Sequence, residues 1–274
     1  MIQKKELKIT LLADNTIEKR DLIAEHGLSF YFIFNGMKYL FDTGQGWALF
    51  FNAKVLDINL NDVDMLFLSH GHYDHTGGLK QLLKINPNII VAANKNIFIP
   101  KYKKIGDDIN FNGIDISQKD IINFINLGEG KFIMEGISFI GGNDVKGKSH
   151  LNEKFIIKKN GKEIVDKFDD EISIYIETKK GIVILLGCSH KGVINIVEQI
   201  KNKESGKRIR AILGGMHLNN YPLKKIEKII KYLDDLNLDF IAPIHCTGRI
   251  PAMMMKDYLG DKIKLASVGD TFYF

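Results

Sequence analysis

The chain has 274 residues, 45% of them hydrophobic and 26% charged, with a net charge of +5. That balance predicts a soluble globular protein long enough for a sizeable core, and mild positive charge suits a small anionic substrate. Aromatic and basic residues are not interleaved as in strand-binding nucleic-acid proteins, and no apolar run reaches membrane-span length, so neither nucleic acid nor membrane is expected as a partner. With only Cys188 and Cys246 present, no disulfide framework is available. The charged opening Met1-Ile-Gln-Lys-Lys-Glu-Leu-Lys is unlike a secretory signal, and both features predict a cytoplasmic location.

In chain order, residues 8–13 form an apolar strand broken by Asp14-Asn15-Thr16. Residues 29–34 and 38–41 are predicted strands joined by Asn35-Gly36, a two-residue hairpin signal. The second runs into Asp42-Thr43-Gly44, a strand-end carboxylate placed either to orient a ligating His or to serve as a turn residue. A helix is predicted over 47–60, a strand over 64–68, a helix over 79–85 and a strand over 88–93. Beyond residue 99 the pattern weakens, with a short helix over 118–125 capped by Ser117 and a strand over 131–140. Residues 141–152 are predicted as a loop, and 99–155 either as a segment that covers a site or as a tolerated surface insertion. Strands over 155–158 and 162–165 flank Asn160-Gly161, followed by strands over 172–178 and 181–187. A helix over 193–202, a strand over 211–215, a helix behind Pro222, a strand over 239–244 and a last strand over 264–268 complete the pattern. No linker-like composition and no short-period repeat appears, so residues 1–274 are read as one domain.

The densest chemistry lies in Ser69-His70-Gly71-His72-Tyr73-Asp74-His75-Thr76-Gly77-Gly78, where three imidazoles and a carboxylate follow a short apolar strand. His70 and His72, two apart, point to one side of an extended backbone, and Asp74 and His75 return from the turn. A lone His is most often a surface or satisfied core residue. Four such side chains crowded at a strand end would repel on protonation and leave polar atoms unpaired unless a divalent cation joins them. Three more histidines also close apolar strands, in Gly187-Cys188-Ser189-His190, Gly214-Gly215-Met216-His217 and His245-Cys246-Thr247-Gly248. Repeated strand–His endings predict convergence along one sheet edge.

The decapeptide resembles the His-x-His-x-Asp-His motif of the metallo-β-lactamase superfamily. Glu25-His-Gly-Leu-Ser, Phe41-Asp-Thr-Gly-Gln and the three motifs just quoted resemble one branch of it. That branch is named for 7,8-dihydropterin-6-yl-methyl-4-(β-D-ribofuranosyl)aminobenzene 5′-phosphate synthase. The resemblance implies an α/β fold, a four-layer αββα sandwich of two mixed sheets flanked by helices, with a dinuclear metal site on one edge. It implies His70, His72 and His190 at one divalent ion, and Asp74, His75 and His245 at the other. Zinc is the expected metal, with manganese and iron as alternatives. Many members bridge their metals with an Asp after the fourth motif strand; here His217 stands in that place. His217 is therefore expected either as a ligand or, with Asp74, as a catalytic acid or base. Cys188 is an alternative ligand, and Asp42 and Cys246 are placed beside the ligands.

The branch chemistry implied is a transfer that joins a dihydropterin diphosphate to an arylamine phosphate. Two metals equally support hydrolysis of a phosphoester, ester or lactone. An iron-containing redox or sensing protein is a third reading, opposed by the lack of any flavin-binding segment.

Overall fold

The structure is a computed structural model that describes residues 7–129, 134–141, 145, 154–159 and 161–274. The first half contains β1 (Leu7–Ala13), β2 (Ser29–Phe34), β3 (Met37–Phe41), α1 (Trp47–Val55), β4 (Met65–Phe67), α2 (Tyr73–Thr76), α3 (Leu79–Ile85) and β5 (Ile90–Ala93). Next come β6 (Lys101–Ile105), β7 (Asp108–Phe111), β8 (Asn123–Asn126), β9 (Ile137–Gly141), β10 (Phe155–Lys159) and β11 (Lys162–Val165). The chain continues with β12 (Ile172–Thr178), β13 (Gly181–Leu186), α4 (Val193–Lys203), β14 (Ile209–Gly215), α5 (Leu223–Asp235), β15 (Phe240–Ile244), α6 (Arg249–Leu259) and β16 (Thr271–Tyr273).

Two mixed sheets carry the fold. One has seven strands in the order β16-β1-β2-β3-β4-β5-β8, the other five in the order β15-β14-β13-β12-β9. Period-two alternation explains how they pack. In β13, Val183 and Leu185 join Phe30, Phe41 and Phe67 of the larger sheet in the central core. Their neighbours Ile182, Ile184 and Leu186 face the other way, against Ile196 and Ile200 of α4 and Ile226 and Ile230 of α5. In β4, Leu66 turns outward to Leu49 of α1 and Leu79 and Leu82 of α3. The layers are therefore helix, sheet, sheet, helix, as expected.

Strand direction decides where side chains can gather. β3, β4 and β5 run parallel, and so do β13, β14 and β15. The loops after β3 and β4 and those after β13, β14 and β15 therefore leave from carboxyl ends, the edge where α/β sheets build their sites.

The structure differs from the sequence expectations at several elements. α1 stops at Val55 rather than residue 60, because Asp57 takes a left-handed φ of 54° and a short 3-10 turn follows at Leu60–Asp62. The helix expected over 118–125 is a single 3-10 turn, Gln118–Asp120, with Ser117 and Asp120 forming a capping box. The chain then becomes β8, a parallel edge strand on β5. Local capping pointed to a helix; sheet pairing overrode it. Residues 264–268 form no strand, and the chain closes instead with β16 antiparallel to β1. α6, opened by Gly248 and bearing Pro251 in its first turn, had no counterpart in the sequence reading. The weak region adds a third, four-stranded antiparallel sheet, β11-β10-β6-β7. The loop expected over 141–152 and the strand start at 131 fall largely outside the described residues, as does Asn160 of the predicted hairpin. The Asn35-Gly36 hairpin is present, with φ of 50° and 83°.

Replacing Leu185 by Ala should destabilise the protein by about 2–5 kcal/mol through lost burial and a residual cavity. Leu223, exposed at the start of α5, should cost no more than about 0.5 kcal/mol on the same change. Urea unfolding of both variants checks the pair.

Candidate metal centre

Two buried acids set the geometry. Asp42, at the end of β3, accepts from the Ser69 backbone N–H at 2.7 Å, from Ser69 Oγ at 2.6 Å and from His75 Nδ1 at 2.7 Å. Ser69 Oγ, having given its proton to Asp42, accepts from His70 Nδ1 at 2.8 Å. Glu171, just before β12, plays the same part from the smaller sheet. It accepts from the His190 backbone N–H at 2.7 Å, from His190 Nδ1 at 2.9 Å and from the Lys191 N–H at 2.9 Å. His245 is held by Asp14, which accepts its backbone N–H at 2.8 Å, and by Asn15, whose Oδ1 lies 3.0 Å from its Nδ1. In four rings, then, Nδ1 carries the proton, and the Nε2 lone pair is turned inward.

The rings converge. The centroid of His70 lies 4.6 Å from that of His72, 4.2 Å from His75 and 4.7 Å from His190. His70, His72 and His190 each bring a donor atom within 4.8 Å of the others. Beside them, His75 Nε2 lies 3.1 Å from His245 Nε2. Asp74 Oδ2 is 3.9 Å from the first of these nitrogens and 3.5 Å from the second. His26 Nε2 reaches the same carboxylate oxygen at 3.3 Å. Cys188 Sγ lies 3.2 Å from His75 Nε2. His217 sits against His190, with centroids 4.8 Å apart. Cys246 Sγ reaches the Cys188 carbonyl at 3.6 Å.

All seven expected ligand residues are thus gathered at the shared edge, and Asp42 takes an orienting place rather than a turn-capping one. His217 lies on the side of His190, not between the two groups. Sequence reasoning missed four contributors: His26, Glu171, Asp14 and Asn15. His26 lay inside a quoted motif, and Asp14 and Glu171 are acids at strand ends, the signal that had singled out Asp42.

The backbone is strained here. Eight non-glycine described residues have positive φ, and five of them, Asp42, Phe168, Ser189, His217 and His245, surround the centre. Each costs roughly 1–3 kcal/mol and persists only where its surroundings hold it. Gly187 shows how tightly the two sheets meet, because a Cβ there would strike Ser69 Oγ.

Burial pushes His70, His72, His190 and His245 well below the usual imidazole range, so each ring is neutral at pH 7. Burial opposes charge on His75 too, but Asp42 and then Asp74 outweigh it and raise the ring to about 9. Burial likewise opposes charge on His217, and contact with Cys246 raises it.

The donors suit a divalent cation. His75 Nε2 and His245 Nε2 face each other at 3.1 Å and need a positive charge with them, which a proton on His75 or a divalent cation supplies, while His190 Nε2 is buried with no hydrogen-bond partner. Neutral imidazole with carboxylate is the donor set that zinc and its neighbours take.

The two groups differ in access. Phe168 stacks on His190 at 4.0 Å, and Phe155 of β10 lies 5.3 Å from His72, closing the first group. Beneath that cover, Lys101 of β6 is buried with its Nζ 2.9 Å from both Asp166 and Asp170. Asp170 also accepts the Gly71 N–H at 2.8 Å, and Asp166 the Phe168 N–H at 2.7 Å. The second group opens outward, for the His26 side chain is 57% exposed.

The sequence profile of the metallo-β-lactamase superfamily matches residues 24–192. The chain belongs to that superfamily. Among its superfamily relatives is the 7,8-dihydropterin-6-methyl-4-(β-D-ribofuranosyl)-aminobenzene-5′-phosphate synthase of Methanocaldococcus jannaschii. The two are 33% identical over 263 residues, covering 87% of this chain and 86% of the relative. An uncharacterized protein of the same organism is 32% identical over 246 residues, covering 88% and 90%. The crystal structure of Tm1679, a metal-dependent hydrolase of the β-lactamase superfamily, superposes with a TM-score of 0.81 at 29% identity, covering 97% and 98%. Superfamily membership makes the chain an enzyme and implies a divalent metal.

Asp42→Asn keeps the side-chain shape but loses the charge that holds His75. It should weaken metal affinity by about 10–100-fold, measured by competition with a chromophoric chelator. Lys101→Met leaves two buried acids without their cation and should cost about 3–5 kcal/mol of stability, whereas combining it with Asp166→Asn and Asp170→Asn should restore most of that loss.

Proposed function

We propose that the two groups hold two divalent cations, zinc in the first instance with manganese or iron as alternatives, and that the enzyme acts on a phosphorylated or diphosphate pterin-type substrate. His70, His72 and His190 would hold one ion; Asp74, His75 and His245 would hold the other, with His26 at its open side. The observation that carries this reading is the close facing of His75 and His245, whose Nδ1 atoms are both committed elsewhere. Bound divalent cations acidify water and neutralise charge on phosphoryl oxygens.

The likeness to the methanogen synthase supports a transfer. The bond between the pterin methylene carbon and the diphosphate oxygen would break, its electron pair leaving with the diphosphate. A new bond would form from that carbon to the amine nitrogen or a ring carbon of an aminobenzene, which gives up a proton. His217, beside His190 and raised against burial by Cys246, would hand a proton to the leaving oxygen. Asp74 would orient the reacting groups at the open side and take the proton that the acceptor loses. The small sheet, which carries Phe155 and Lys103, would cover the first ion, so that substrate enters past His26. Two free thiols, Cys188 and Cys246, agree with a reducing cytoplasm. The likeness to a metal-dependent hydrolase favours a second reading, in which water replaces the arylamine.

Incubation of metal-loaded protein with a dihydropterin diphosphate, with and without an arylamine, separates the two readings. Transfer predicts coupled product and amine-dependent release of diphosphate; equal release without amine means hydrolysis. His72→Ala and Asp74→Ala should each lose bound metal and lower activity by more than the roughly 10–100-fold cost of an outer partner. Unchanged metal content in both would overturn the ligand assignment. His217→Ala should lower kcat by about 10²–10⁴-fold with metal content intact, whereas loss of an ion would make it a ligand.

A further inference from the structure

The two nitrogen groups bring little negative charge to the ions they would hold. Among the donor groups of the described residues the only acid is Asp74, and its carboxylate faces His26 and His245. Glu171 and Asp42 are already spent on ring and backbone N–H groups. Two dications beside one carboxylate would leave a large uncompensated charge in a buried place, which is costly.

One further group answers that deficit. Cys188 is buried and unbridged, on the loop that leaves β13 two residues before His190. Its Sγ lies within 4.8 Å of donor atoms of His70 and His75, of His190 and His217, and of His245 and Cys246. Among the described residues outside the two sets, no other side chain shares a donor group with members of both. The second observation is independent of the thiol: His190 Nε2 is buried without a partner in the same donor group. Cys246, by contrast, shares a group only with Cys188 and His245.

We propose that Cys188 supplies a thiolate that both metal positions would share. The proposal rests on the two-ion reading above and adds the residue that couples the ions. Sulfur is larger and softer than carboxylate oxygen, so such a link selects zinc or cobalt over magnesium and calcium.

Stepwise titration of the metal-free protein with Co(II), followed by absorption, tests it. A thiolate ligand gives a sulfur-to-cobalt charge-transfer band in the near ultraviolet. The band should grow over the first and the second equivalent alike, persist in Cys246→Ala and vanish in Cys188→Ser. Cys188→Ser should still bind one ion, with the second weakened by at least tenfold. Absence of the band in the unmodified protein overturns the proposal without any variant having to fold. So does a band that saturates at one equivalent, or one that survives Cys188→Ser and is lost in Cys246→Ala. If His72→Ala also leaves both ions bound, the two-ion reading itself has failed; if His72→Ala releases metal while the band is absent, only the role of Cys188 has.

Discussion

The centre depends on a buried carboxylate at the end of β3. Asp42 accepts three hydrogen bonds, two from Ser69 and one from His75, and so ties β3, β4 and α2 at a single point. Bonds to a charged acceptor contribute about 1.5–3 kcal/mol each, enough to hold Asp42 in a left-handed backbone that alone costs about 1–3 kcal/mol. Glu171 repeats the arrangement from the smaller sheet, again with three bonds, at His190 and Lys191. Each sheet therefore arrives with its own acid and its own ring already oriented. Their meeting requires only that the sheets pack, and the aromatic core between them enforces that.

The two halves of the centre have different surroundings. The His70, His72 and His190 group lies beneath Phe155 and Phe168, in a setting that excludes water and strengthens electrostatic interactions. The Asp74, His75 and His245 group borders solvent through His26. In the proposed two-ion site, a closed position and an open one would suit a division of labour in which one holds firmly and the other exchanges with incoming oxygen ligands.

Much of this was legible in the sequence because it is local. The ten-residue motif carries its ligands at fixed spacing, and strand–Gly–His endings identify the donors of the smaller sheet without reference to the fold. What could not be read is non-local. Glu171 looks like any acid ahead of a strand until β12 sets it beside His190, and Asp14 looks like a strand breaker until β1 sets it beside His245. Half of the small sheet was hidden for a related reason. The strands over 155–158 and 162–165 were legible, but β6 and β7 were not: Asp108–Phe111 is open throughout, so alternation there is faint. β8 misled because Ser117 and Asp120 form a true cap that ends after one turn.

The ammonium of Lys101 has a bearing on how this architecture diversifies. Its two acids reach, through backbone amides, the residue between His70 and His72 and the aromatic that lies under His190. The small sheet is thus not a detachable ornament that lineages can swap to suit new chemistry. A replacement must either bring its own cation to the same burial or arrive together with loss of both acids. Grafting a foreign cap onto this scaffold would succeed only as a coordinated exchange of at least three side chains.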